Sequence, residues 1–459
     1  MGRHTSLFGK DAMRLNREAS DPEPQGLPDR AEKSESSQLG TRWGRAALWS
    51  TAAAVALRGG PILCSIIIAR MLGKEEFGAL SIIHRTVIFF GSLAGMGLGL
   101  TATKYIAQHR WSNPLRAGKI LTLILFASVS FSLLMSLTLY AFSSELAGPL
   151  LKADRLAPLV RLSCPILLLV TLSGILAGCL AGFEAFDTLA IIGAYDFTTS
   201  VTSTCLLTTL WGLEGALIAL ALTAMGTCTL SGVLLLYVCR HHGVPLDLTG
   251  MWEESPILYR FALPAAVSSF LYGFAQWLPQ TFLVKHIDGF SEVAIFAAAD
   301  QVRMVITFIP TIVASASLPI LASAIGQKDF LLLSRTFLMN LAFNAGLGLG
   351  ICVPVMVYGS TILGLYGHGF AAHGVVMRLM GIVGFFGALA SVFGSTIASR
   401  DNMWWGALFN FIWASSVCVA SAALAPKWGS EGIATAYAGA YVLHIMLQGL
   451  YLANRSNFA

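Results

Sequence analysis

Twelve times along the chain an apolar run of roughly 20 residues recurs, the length that a helix rising about 1.5 Å per residue needs to cross a hydrocarbon core of about 30 Å. The runs cover 46–69, 79–102, 118–142, 158–180, 188–210, 216–239, 257–283, 294–317, 333–357, 376–398, 404–425 and 433–453, numbered spans 1 to 12 below. Strands of a β-barrel would be shorter and alternate in polarity, which these runs do not. With 56% of residues apolar and 12% charged, there is too little polar surface for a water-soluble exterior. The expected fold is an all-α polytopic membrane protein.

Residues 1–45 break the pattern, with eight Lys/Arg, seven Asp/Glu, Pro22, Pro24 and Pro28 and few large apolar side chains. Such a segment buries too little surface to offset its chain entropy, so it reads as a disordered cytoplasmic tail. It lacks the basic start and apolar core of a signal peptide. Residues 240–256 read as a cytoplasmic linker and 454–459 as a short tail. With the N-terminus inside, eleven Lys/Arg flank the cytoplasmic span ends against six on the other side, which sets both termini in the cytoplasm. All eight cysteines fall within spans without Cys-x-x-Cys spacing, and they read as small buried residues with no metal site.

The words "WGLEGA" at 211–216 return as "WGSEGI" at 428–433. A shift of 216 or 217 positions also brings Gly73 onto Gly289, and "LAGFE" at 180 onto "IASRD" at 397. Residues 46–239 and 257–453 are therefore two copies of six spans each, and an even number of spans makes the copies parallel about an axis along the membrane normal. Each WGxEG falls in the short turn before the last span of its half. Glycine there accepts a positive φ and Trp suits the headgroup level. Two pseudo-symmetric six-helix bundles around a central cavity are the architecture of a transporter.

Ionisable residues inside spans cost about 2.5–3.5 kcal/mol each on insertion scales and face a cavity or a partner. Arg58 falls near the middle of span 1, with no acidic residue nearby in sequence. His84 and Arg85 lie on span 2, and Asp300 and Arg303 sit at equivalent depth on span 8. Asp300 and Arg303 are three apart on one helix, so mutual neutralisation and a substrate role both stay open. Arg260, at the start of span 7, either snorkels to the headgroups or faces the cavity. His84 is a packing residue or a polar wall group. Asp196 on span 5 pairs with an arginine or binds a coupling cation. Backbone interruptions point to the same place: Gly59, Gly60 and Pro61 in span 1 nearly match Pro279 in span 7. Paired interruptions in two halves mark a transporter's site or hinge. Gln276 and Gln280 flank Pro279 and could hydrogen-bond sugar hydroxyls.

"IIIARMLGKEEFGALSI" at 66–82, followed by "GMGLGLTATKYIA" at 95–107, resembles the start of bacterial polysaccharide flippases. These are Wzx-like exporters of the multidrug/oligosaccharidyl-lipid/polysaccharide exporter superfamily. The resemblance extends over about 46–453 and implies flipping of a polyprenyl-pyrophosphate-linked oligosaccharide from the cytoplasmic to the outer leaflet of a bacterial inner membrane, by alternating access. Surface polysaccharide such as O-antigen, capsule or exopolysaccharide would be the end product. It leaves room for a polysaccharide polymerase as partner and for a monomeric assembly, and it calls for membrane lipids but no cofactor or nucleic acid. Arginine suits pyrophosphate because it stays charged and its planar fork donates two parallel hydrogen bonds. Arg58, Arg85, Arg260 and Arg303, with Gln276 and Gln280, are the expected substrate-binding residues. Asp196, Asp300 and His84 are the expected coupling or charge partners.

The alternative is a multidrug or toxic-compound extruder driven by cation influx, which would want exposed carboxylates in place of arginines. An enzyme is not expected: the longest interior connections, near 143–157 and 240–256, leave no room for a glycosyl-transfer site. "GLPDRAEKS" at 26–34 lacks the second glycine of a phosphate loop. "GMGLG" at 95–99 reads as close helix packing within span 2.

Overall fold

The computed structural model describes the backbone of residues 29–150, 152–248, 250–286, 288–327, 329–399 and 403–453. The side chains before Gly60, those of Arg58 and Gly59 among them, and that of Arg260 lie outside the described residues. Every regular element described is helical. Eight helices are long and apolar enough to cross a membrane, yet some are far too long to cross once. Phe186–His241 has 56 residues and Met403–Ala453 has 51, about 75–85 Å of helix at about 1.5 Å per residue. Each doubles back on itself. Ser203 on one arm of the first meets Thr223 on the other at 3.2 Å, and Trp405 meets Tyr451 across the second, with ring centroids 5.2 Å apart. Asp29–Gly95 is likewise divided, at Gly73. Three divisions, together with the helix Leu263–Val284, resolve the eight long helices into the twelve expected spans.

The two WGxEG words make the two reversals. Gly212 has φ 56°, ψ −131° and Gly429 has φ 55°, ψ −132°, a conformation open in practice only to glycine. The second glycine of each word has its own task. A side chain on Gly215 would strike the carbonyl of Leu207, and one on Gly432 that of Leu424, eight residues back in both copies. The first glycine turns the chain and the second lets the arms approach. Trp211 and Trp428 are both 57% exposed, as residues meeting the membrane interface would be.

Two sequence expectations change. The tail expected over 1–45 lies outside the described residues as far as 28, but the backbone is helical from Asp29, where "RAEKSE" supplies good helix formers. Span 2 is not continuous through "GMGLG": Met96 and Gly97 have φ 39° and 64°, and a new helix, Leu98–His109, begins after them. The packing half of that reading holds, since a side chain on Gly178 would strike the backbone of Gly99. Pro61 and Pro279, the expected bends, both lie inside helices. Pro279 has no N–H to offer the carbonyl of Ala275, four residues back, and the hydroxyl of Tyr437 on span 12 donates to that carbonyl instead, at 2.7 Å.

Residues 53–459 gather into one unit. One buried apolar cluster draws on both halves, from Ile82 and Ile83 to Phe296, Met377 and Tyr437. A second joins spans 2 to 6 with Ile257 and Ala262 at the start of span 7. The linker docks on span 3 through Arg116 to Glu254 and Lys119 to Glu253, each at 2.7 Å.

Alanine at Gly212 or Gly429 should lower the unfolding temperature in detergent, with a backbone cost of about 1–3 kcal/mol. Gly429→Ala should cost more, because its methyl group also meets Glu292, whereas the nearest atom to one on Gly212 is Leu72, 4.0 Å away. Equal melting of both variants and wild type would remove this account of the turns.

Candidate functional site

Charge is scarce inside the spans, so where it gathers is informative. Asp300 on span 8 is fully buried and Arg303, one turn on, is 2% exposed. Arg303 Nε donates to Asp300 Oδ1 at 2.6 Å. The other carboxylate oxygen accepts from Arg85 on span 2, 2.8 Å away and 215 residues earlier in the chain. Arg85 thus has an acidic partner supplied by the other half. Two guanidinium groups share one carboxylate, leaving one positive charge in excess. Burying such a cluster is tolerable only because the carboxylate is satisfied from both sides. The second terminal nitrogen of Arg303 meets no acceptor in good geometry among the described residues.

Around this cluster the first half meets the second at many points. Trp277 on span 7 stacks on Phe89, centroids 4.8 Å apart with planes within 9°, and its Nε1 donates to Thr86 at 3.0 Å. Gly273 faces Ser92. Toward the end bearing the Gly73 turn, Gly78 touches the backbone of Phe290, Ser65 meets the Tyr366 hydroxyl at 3.3 Å, and Arg70 Nε donates to the Leu365 carbonyl at 2.6 Å. Spans 1 and 2 are thereby held to spans 7 and 8 and to the turn after span 9.

The remaining candidates scatter. His84 is exposed, and it is its neighbour Arg85 that reaches Asp300. Asp196 accepts from Thr227 on span 6 at 2.8 Å and joins none of the described arginines. Gln276 and Gln280 are buried, at 3% and 0% exposed. Gln280 Nε2 donates to the carbonyl of Gln276, while both polar atoms of Gln276 and the oxygen of Gln280 lack partners among the described residues. A side chain on Gly60 would press on the Phe197 ring, so this glycine admits close packing between spans 1 and 5. The cysteines are free thiols packed in the helices.

Sequence reasoning passed over a second polar region, a cavity of about 200 Å³ in the second half, lined by Tyr272, Asn410, Trp413, Tyr441, His444 and Gln448 among others. Its signal was present: Tyr437, Tyr441, His444 and Gln448 recur at steps of four, three and four along span 12, which is one helix face.

Twelve spans in two related halves, joined across a seam by a buried ion cluster, are the architecture of a membrane transporter. The chain belongs to the polysaccharide biosynthesis protein family, whose description matches residues 44–325, and the related MatE description matches 264–425. The EPS I polysaccharide export inner membrane protein EpsE of Ralstonia nicotianae is 24% identical over 421 residues, covering 89% of this chain and 93% of that one. The lipid III flippase of Escherichia coli is 23% identical over 412 residues, covering 88% and 96%. The fold is shared with an inward-facing MATE family multidrug transporter, at TM-score 0.73, 15% identity and coverage of 87% and 94%. It is shared equally with the lipid II flippase MurJ in an inward closed conformation, at TM-score 0.73, 13% identity and coverage of 90% and 89%.

Asp300→Asn should destabilise the protein by about 3–5 kcal/mol, because it strands two buried guanidinium groups. Replacing Arg85, Asp300 and Arg303 together with Met, Leu and Met should recover most of that loss. Thermal unfolding of the single and triple variants decides it; a triple variant no more stable than Asp300→Asn would show that the cluster is not the cause.

Proposed function

We propose that the protein moves a polyprenyl-pyrophosphate-linked oligosaccharide from the cytoplasmic to the outer leaflet of the inner membrane by alternating access. Two related bundles, 46–239 and 257–453, rock about the seam between them. The observation that carries this reading is the net positive charge of the Arg85, Asp300 and Arg303 cluster at that seam, which suits a pyrophosphate and repels a lipophilic cation. Relatives named for polysaccharide export and lipid III flipping support the same substrate class. Both termini face the cytoplasm, so the Gly73 end, where the halves are in contact, is the outer side. The conformation described is then the one closed to the outside. Arg58 and Arg260 add further positive charge for the substrate, and Gly59, Gly60, Pro61 and Pro279 concentrate bending during the cycle. The protein works as a monomer and delivers substrate to a chain polymerase.

Extrusion of cationic drugs is the rival reading, and Asp196 favours it, since it is the span carboxylate without an arginine among its described contacts. In proteoliposomes, wild type should speed the appearance of lipid-linked oligosaccharide to an impermeant lectin. Arg58→Ala should abolish this at unchanged abundance, and Arg58→Lys should restore part of it. Ethidium efflux without glycolipid movement would establish the rival instead.

The seam can be tested directly. A Cβ on Gly273 would lie 3.6 Å from that of Ser92, within the range of about 3.5–4.5 Å that disulfides span. Ser92→Cys with Gly273→Cys, in a background without the native cysteines, should cross-link on oxidation, stop flipping, and recover with reductant. Undiminished flipping by the cross-linked protein would mean that the halves do not part at this point.

A further inference from the structure

The cavity in the second half has no part in the ion cluster, yet its wall is specific. Trp413 and Gln448, 5% and 2% exposed, line it, and each carries a buried polar atom without a partner among the described residues: the indole Nε1, a donor, and the amide Oε1, an acceptor. An unpartnered buried polar atom carries a full desolvation cost unless something fills the gap. Asn410, which is exposed, adds an amide with both functions. The aromatic wall is built from Tyr272 lying nearly parallel to Trp413, centroids 5.9 Å apart and planes within 15°, and from Tyr441 edge-on to the same indole. On span 10, Gly387, Ala390, Ser391 and Gly394 line the opposite side. Their spacing puts two glycines and two small side chains on one helix face and leaves the wall flat.

The charge of the lining excludes two ligand classes. None of the lining residues is a carboxylate, lysine or arginine, so neither a metal cation nor a bare phosphate finds a counter-charge. His444 has both ring nitrogens engaged, one with the Phe409 carbonyl at 3.2 Å and the other with Gln448 Nε2 at 3.0 Å. It therefore fixes which amide atom of Gln448 is left to the cavity. What remains is a neutral ligand that both donates and accepts hydrogen bonds and presents C–H faces to aromatic rings. A pyranose has these properties, and about 200 Å³ accommodates one such ring.

We propose that this cavity binds a single sugar residue, the one attached directly to the pyrophosphate of the transported lipid. This rests on the reading of the protein as a lipid-linked oligosaccharide flippase. The placement supports it in two ways. A Cβ on Gly387, a cavity residue, would meet Thr307, one turn beyond Arg303 on span 8, so a phosphate at the arginines would set its first sugar near the cavity. Tyr272 also precedes Gly273, which faces Ser92 of the first half, so the mouth of the cavity borders the seam.

The test uses the full chain in lipid nanodiscs and two probes, bare polyprenyl pyrophosphate and the same lipid carrying one hexose. Wild type should bind the glycosylated probe roughly tenfold more tightly, the worth of about one net hydrogen bond. Trp413→Phe, which keeps an aromatic ring and deletes the N–H, and Gln448→Met, which keeps the length and deletes the amide, should each abolish most of that preference. Affinity for the bare probe should not change, and unfolding temperatures should report an intact fold. Equal binding of both probes by wild type, or variants that weaken both probes alike, would overturn the proposal while leaving the flippase reading intact. A melting shift with sodium and no sugar preference would overturn it in favour of a coupling-cation site. Wild type that binds neither probe would defeat the flippase reading itself, and this proposal with it.

Discussion

A hydrocarbon solvent offers no hydrogen bonds, so every polar group that enters it must find its partner within the protein. That constraint explains where the halves and spans touch. Pro279 deprives one carbonyl of its helical partner, and Tyr437 from span 12 supplies another. The reversal at Gly429 frees the backbone N–H of Ser430, and Glu292 from span 8 accepts it at 2.6 Å. Asp300, the costliest group of all to bury, is met by two arginines from different halves. Each satisfied group is also a weld between spans distant in sequence, so polar bookkeeping and tertiary structure are one problem here.

Much of the architecture was legible because the bilayer simplifies the code. Span number and type follow from run length, and the repeat shows itself at Trp211 and Trp428, where matching letters have matching backbone angles. The interruption at Met96 and Gly97 escaped notice because an apolar run carries no mark of a backbone φ. The ion cluster was half visible: the step of three from Asp300 to Arg303 can be read along one helix, but the bond to Arg85 spans 215 residues and belongs to packing. The same holds for the second cavity, whose stripe on span 12 was present as letters but acquires meaning only once Tyr272 and Trp413 close over it.

The fold by itself does not separate a flippase from a drug extruder, since both classes share it at equal likeness. The distinction lies in a few charges. In this chain the carboxylate of span 8 is spoken for by guanidinium groups, and what remains at the seam is positive. Neutral amide and aromatic groups line the neighbouring cavity. Chemistry suited to an anion next to chemistry suited to a polyol is a pairing that a lipophilic cation has no use for.

The shared carboxylate has a consequence for how the halves come apart. Parting spans 2 and 8 leaves Asp300 and Arg303 as a neutral pair on one helix and turns Arg85 into a cation with no counter-ion, at low dielectric where that is most costly. On the flippase reading proposed above, a diphosphate bound at Arg85 would remove the cost by taking the place of Asp300. On that reading the empty protein resists opening, and the loaded one exchanges one anion for another. Electrostatics itself, on the same reading, opposes an idle cycle that would leak ions or lipid.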